Sequence, residues 1–185
     1  MTCIIGCVDK NYMYIAGDSC GSNGHSYTIR KDDKIFKKGQ MLFGYTTSFR
    51  MGHLLQWKLK IPKHPLDMST IEYMNTLFID EIIKCFTDNS YCKIDSNVKT
   101  GGNFLVLYKG RVFDIGNDYQ VGENFDGVTT CGCGHIASLA AFKMAKETGY
   151  NRSISYILKK SLAITQSMIE GVQAPFNIIK MKYYE

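Results

Sequence analysis

The sequence predicts an α+β fold. Short apolar runs separated by turn residues open the chain, and stretches with helical spacing come in two pairs. The resulting order is strands, two helices, strands, two helices, strand. Two antiparallel sheets packed face to face, with the helices outside, bury both groups economically. At 185 residues the chain suits one domain, residues 1–185, long enough to bury most of its apolar surface.

Each element has a local reason. Cys3–Val8 and Tyr12–Ala16 are apolar runs flanking Asp9-Lys10-Asn11, which reads as a hairpin. Lys34–Lys37 and Met41–Tyr45 form a second pair around Lys38-Gly39-Gln40. Ser48 caps a helix carrying Met51, Leu54, Leu55 and Leu59, and Ile61-Pro62 and His64-Pro65 break it. Ser69 stands three residues before Glu72, the capping-box spacing, and opens a longer helix with Ile71, Met74, Leu77, Phe78, Ile82 and Cys85 on one face. Asp88 to Gly102 is polar and reads as a loop. Asn103–Tyr108 and Arg111–Ile115 pair around Lys109-Gly110, with short segments near Tyr119–Val121 and Val128–Thr130. The turn Cys131-Gly132-Cys133-Gly134 leads into a helix of small residues that ends at Gly149. Ser153 starts the last helix, which stops by Gly171, and Ala174–Met181 is the final strand.

Composition narrows the function classes. No run of eighteen apolar residues is present, so no membrane span is expected. The N-terminus lacks a basic segment followed by an apolar core and a small-residue cleavage site, the pattern of a secretion signal. Seven dispersed cysteines in such a chain read as reduced thiols, which points to the cytoplasm. A net charge of +5 with scattered lysines reads as solvated surface rather than a nucleic-acid footprint. Cys131-x-Cys133-x-His135 lacks the second distant pair of a zinc site, so no metal or other cofactor is expected. No Gly-x-x-x-x-Gly-Lys phosphate loop occurs.

Chemistry concentrates at the start. With Met1 removed, Thr2 carries a hydroxyl nucleophile and a free α-amine on one residue. The amine's ordinary pKa of about 8 suits a base near neutral pH. Cys3 is a competing N-terminal nucleophile by residue type alone. His25, His53 and His64 stand in polar or turn contexts that suggest no catalysis.

Thr2, the Gly17-Asp18 pair, Lys34, Leu42-Phe43-Gly44 and the Gly/Cys turn before a small-residue helix resemble the proteasome β-subunit family, with HslV-like peptidases the nearest branch. Asp18 and Lys34 stand at the family's separations from the nucleophile. The resemblance runs over nearly the whole chain, although 62–101 is generic. It implies the four-layer αββα sandwich of N-terminal-nucleophile hydrolases. It also implies a role for each matched position. Thr2 is nucleophile and base, Lys34 stabilises the ionising hydroxyl, and Asp18 holds Lys34 charged. Gly44 offers its N–H to the oxyanion. Leu42 lines the pocket for the residue preceding the cut, and Ser22 contacts the substrate backbone.

Two places depart from the family pattern. The family's serine beside the amine falls on Cys131, Gly132 or Cys133, according to register, and a thiol is the weaker hydrogen-bond partner. After the last helix, Ser167 stands where many members carry aspartate, and Glu170 where they carry serine. Cys131 and Ser167 are therefore the expected partners of the amine. The function implied is a threonine endopeptidase subunit of a self-compartmentalising, ATP-dependent protease. It acts on protein or peptide substrates, assembles as homo-oligomeric rings and works with a separate AAA+ unfoldase. The competing readings are a catalytically silent scaffold that forms the same ring, and a hydrolase of small amides.

Overall fold

The structure, a computed structural model, describes residues 1–95, 97–149 and 151–184. The opening hairpin joins β1 (Cys3–Asp9) to β2 (Tyr12–Gly17). It is flanked by β12 (Val128–Gly132) and β13 (Asn177–Lys182), giving one sheet of order β12-β1-β2-β13. A second sheet contains the hairpins β5 (Ile35–Lys38)–β6 (Met41–Tyr45) and β9 (Phe104–Tyr108)–β10 (Arg111–Ile115), with β11 (Val121–Glu123) at its edge. Its order is β11-β10-β9-β6-β5. Every pairing in the two sheets is antiparallel.

Strand alternation sorts the apolar residues into three layers. On β1, Ile4 faces the other sheet and, with Met13 and Ile15 of β2, packs in one cluster with Ile35, Leu105, Leu107 and Val112. Cys3, Ile5 and Cys7 face outward onto α4 (His135–Glu147) and α5 (Ile154–Met168), against Phe142, Leu158 and Leu162. On β6, Met41, Phe43 and Tyr45 face the first helical pair, against Leu54, Leu55, Phe78 and Phe86. Phe36 and Phe43 stack there with centroids 5.1 Å apart, and burying each ring contributes about 2–3 kcal/mol. The four-layer αββα sandwich results from these three interfaces.

The helical pair departs from its expected pattern. α1 (Phe49–His53) widens into a π-type turn over Leu54–Lys58. A second such turn, Met74–Phe78, joins α2 (Thr70–Tyr73) to α3 (Ile79–Asp88). A π turn adds a residue to the hydrogen-bonded ring and rotates the face presented by the next turns. The buried stripe therefore runs through Tyr73, Met74, Phe78, Ile82 and Phe86, while Ile71 and Leu77 lie at the surface. The caps occur as expected: Ser48, Ser69 and Ser153 accept from Arg50, Glu72 and Tyr156 N–H groups.

Two short hairpins add to the expected strands, one of them within the stretch expected to be a loop. β3 (Cys20–Ser22) pairs with β4 (Tyr27–Ile29) after Asp18, and β7 (Lys93–Asp95) with β8 (Val98–Thr100) inside the 88–102 stretch. No helix among the described residues is long and apolar enough to cross a membrane.

Candidate active site

Three strand ends place the charged residues. β1 begins directly after Thr2, β2 ends directly before Asp18, and β5 begins directly after Lys34. Since Ile4 pairs with Gly17, the residues just beyond that pair, Cys3 and Asp18, are neighbours. The Asp18 carboxylate accepts the Cys3 and Cys20 N–H groups, each at 2.8 Å. Lys34 Nζ donates to both its oxygens at 3.0 Å. The pair is almost completely buried, with side-chain exposures of 1% for Lys34 and 0% for Asp18. Burying two charges is costly, and only a complete set of hydrogen bonds makes it tolerable. Here the backbone of β1 and of the β2–β3 connection supplies that set. The loop after α5 closes the cluster, with the Gln173 N–H 3.5 Å from Asp18 Oδ2 and the Gln173 carbonyl accepting the Ser19 N–H.

Lys34 also reaches the first peptide unit. Its Nζ donates to the Met1 carbonyl at 3.3 Å, and the Thr2 hydroxyl donates to the same oxygen. The ammonium and the Thr2 hydroxyl thus share one acceptor. Met1 lies over the site, its side chain seated against Gly171, and Thr2 beneath it is 7% exposed.

The nitrogen of Thr2 faces a different set of groups. Its N–H donates to Cys133 Sγ at 3.3 Å, and the thiol donates back to the Thr2 carbonyl at 3.3 Å. The Gly134 N–H approaches that carbonyl at 3.5 Å. Gly132, at φ +93°, allows this closeness, since a Cβ there would lie 2.2 Å from the Thr2 oxygen. The residue beside the amine is therefore Cys133, and the expectation of Cys131 is corrected. Cys131 belongs to β12 and its side chain lies in the inter-sheet core. Ser167 is corrected likewise. It is still helical and exposed, and its hydroxyl donates to the Ile164 carbonyl one turn back at 2.7 Å. Glu170 is exposed too, and its carbonyl accepts from Gln173 Nε2.

Two expectations on β6 also change. Leu42 is 0% exposed in the inter-sheet core, so it cannot line a substrate pocket. Gly44 sits mid-sheet between Ile35 and Leu105, and a Cβ there would meet Ile4 at 2.5 Å. Its backbone is closed to a substrate. The groups that do meet Thr2 come after the strand. A cleft of about 60 Å³ is lined by Thr2, Lys34 and Ser22, with Thr46, Thr47 and Ser48 across it. In that turn the Thr46 N–H is taken by the Asn103 carbonyl and the Ser48 N–H by the Thr46 carbonyl. Thr47 turns back at φ +56°, and among the described residues its N–H has no acceptor. The passage of β6 into a run of three hydroxyl residues is the sequence signal for this turn.

Cys3 and Cys7 are chemically quiet. Burial pushes the Cys3 and Cys7 thiols up to about 12, so neither is a thiolate near neutral pH. Cys131, Cys133 and His135 point to three different places: the core, Thr2, and the Gly132 carbonyl at 2.9 Å from His135 Nδ1. Among the described residues no group of three His, Cys, Asp or Glu stands at metal-binding spacing.

No protein-family model and no curated protein matches the chain. Solved structures do. The chain is similar to Thiobacillus denitrificans BPH in complex with epoxomicin, at 14% identity over all of both chains, with a TM-score of 0.81. It is similar to the eukaryotic HslV of Trypanosoma brucei, at 13% identity over 98% of this chain and 100% of that one, TM-score 0.71. An Anbu (Gly-1) mutant from Hyphomicrobium sp. strain MC1 matches at 12% identity over 98% of this chain and 82% of that one, TM-score 0.68. At these identities the likeness is one of fold alone, the four-layer αββα sandwich.

Proposed function

We propose that this chain is a threonine peptidase whose nucleophile is Thr2 once Met1 has been removed. The observation that carries this reading is the shared acceptor: a fully buried, Asp18-paired ammonium and the Thr2 hydroxyl meet on one carbonyl oxygen. A fixed positive charge beside a hydroxyl lowers the cost of ionising it.

Removal of Met1 converts the Thr2 N–H into a free α-amine without moving it from Cys133. The amine takes the hydroxyl proton, Oγ1 attacks the scissile carbonyl, and the protonated amine delivers the proton to the leaving nitrogen. Lys34 stays anchored beside Oγ1 by Asp18, whose carboxylate is itself fixed by the Cys3 and Cys20 N–H groups. The oxyanion takes the Thr47 N–H, the one amide of the 46–48 turn without an intramolecular partner among the described residues. Ser22, on the opposite wall, contacts the substrate backbone. Water then repeats the sequence on the acyl-threonine ester.

Substrates are proteins or peptides. The chain works as one proteasome-like domain in homo-oligomeric rings within the cytoplasm, and a separate AAA+ unfoldase supplies the energy. Exposed Ile136, Met144, Ile164 and Met168 on α4 and α5 support an assembly that covers them. The test is cleavage of fluorogenic tetrapeptides by protein lacking Met1. Turnover is expected, and its loss in Thr2→Ala; turnover that survives Thr2→Ala overturns the assignment.

One observation favours a second reading. The group beside the Thr2 nitrogen is a thiol where a hydroxyl is expected. A chain that keeps Met1 is a silent scaffold with the same fold. Intact mass separates the two.

A further inference from the structure

The strands that place Thr2, Asp18 and Lys34 at one end of the sandwich carry a different chemistry at the other end. There Lys10-Asn11 joins β1 to β2, Gly39-Gln40 joins β5 to β6, and Lys109-Gly110 joins β9 to β10. β13 runs from Asn177 beside Gly17 to Lys182 beside Tyr12, and so delivers Lys182, Tyr183 and Tyr184 to the same end. A cleft of about 180 Å³ opens between the two hairpin tips and this last segment.

Its walls are fixed by hydrogen bonds and packing. The Tyr183 N–H donates to the Asn11 carbonyl at 3.1 Å, and its hydroxyl donates to the Lys10 carbonyl at 2.8 Å. The Tyr183 ring lies against Gly110, at φ +70°, where a Cβ would overlap it. Lys37, Lys109 and Lys182 line the cleft, and among the described residues no acidic side chain does. The Lys109 ammonium lies 5.8 Å from the Tyr108 ring centre, and the Lys182 ammonium 5.1 Å from that of Tyr184. Aromatic faces rather than carboxylates therefore hold these cations. Asp9, at this end of β1, is paired with Lys146. Lys38 is turned away and donates to the Leu55 and Gln56 carbonyls. Gln40 adds a carboxamide donor, and among the described residues the Gly39 and Gln40 N–H groups have no acceptor.

Three cations gathered without an acid repel one another, and an anion entering the cleft relieves that repulsion. A single carboxylate answers one ammonium. A chain of linked phosphates carries several charges in a small volume and accepts from ammonium and amide donors alike, with lysine serving as a point charge. We infer that this cleft binds an oligophosphate, either free or as the phosphate tail of a nucleotide whose base stacks on the exposed Tyr184 ring. The inference is independent of the chemistry at Thr2.

The test is calorimetric titration of the full chain with inorganic triphosphate in metal-free buffer, with sulfate at matched ionic strength for comparison. One saturable site is expected, with sulfate about tenfold weaker because it carries fewer charges. Lys109→Gln and Lys182→Gln each weaken triphosphate binding about fivefold, and together about twentyfold. Lys84→Gln with Lys159→Gln removes the same charge from α3 and α5 and changes binding less than about twofold. All four lysines are exposed, and thermal melts confirm that the variants are folded. ATP separates the two sources. Binding no tighter than that of triphosphate assigns the phosphate chain alone, and tighter binding that Tyr184→Ala lowers to the triphosphate level assigns a nucleotide. Absence of saturable triphosphate binding overturns the inference, as does sulfate binding of equal strength or equal weakening by the control pair.

Discussion

Thr2 stands between two unlike environments. On its hydroxyl side, Asp18 and Lys34 sit at strand ends, are fully buried, and have their polar atoms committed to backbone or to each other. On its nitrogen side, one exposed thiol from a turn is the contact, and the groups expected to help it point elsewhere. The hydroxyl side is pre-organised by the sheets, whose strand geometry leaves little freedom. The nitrogen side depends on a turn and on the loop after α5, where one residue of register changes which side chain arrives. Most of the rate is therefore expected to come from the hydroxyl side, with the nitrogen side adjustable.

Lys34→Ala should disturb this division most. It removes the charge beside Oγ1 and leaves the buried Asp18 carboxylate without its cation. Peptide cleavage is expected to fall about 10³-fold and stability by about 3–5 kcal/mol, read by turnover and chemical denaturation. A variant retaining a tenth of the activity contradicts the division. Leu42→Ala separates scaffold from site. It empties core volume between the sheets, so about 2–5 kcal/mol of stability is lost, while preference at the residue before the cut does not change. A changed cleavage preference places Leu42 in the pocket after all. Cys133→Ala should cost about tenfold in kcat/KM, since one weak hydrogen bond to the amine is lost. Cys133→Ser should hold or raise the rate, because a hydroxyl is the stronger partner. Equal rates for all three residues would show that the nitrogen side contributes no positioning. Ser167→Ala should change turnover less than about twofold, as expected of an exposed hydroxyl satisfied by its own helix. A hundredfold loss there restores the expectation the structure corrects.

The same contrast explains how much is legible in the sequence. The layers can be read from period-2 runs and caps, because burial on both faces of each sheet leaves a strong apolar signal. Thr2, Asp18 and Lys34 can be found because strand lengths fix their separations and the first two hairpins hold them in register. Leu42 and Gly44 mislead by position on one strand: even-numbered residues of β6 face the other sheet, and the chain reaches Thr2 only after Tyr45. Cys131 and Cys133 look equivalent in a Gly/Cys turn. The strand continues through Gly132, whose positive φ then redirects Cys133. Ser167 reads as lying beyond the last helix, but α5 runs to Met168. The π turns have no sequence signature in side-chain spacing, so regular helical spacing puts Ile71 and Leu77 on the wrong face.

Thr2 is proposed to act through both its hydroxyl and its freed α-amine. An epoxyketone reacts with both groups of an N-terminal threonine, so intact mass after treatment reads that pairing directly. The expected result is a species lacking Met1 and carrying a single adduct, with no adduct in Thr2→Ala. Protein that lacks Met1 and remains unmodified, or an adduct that persists in Thr2→Ala, contradicts it.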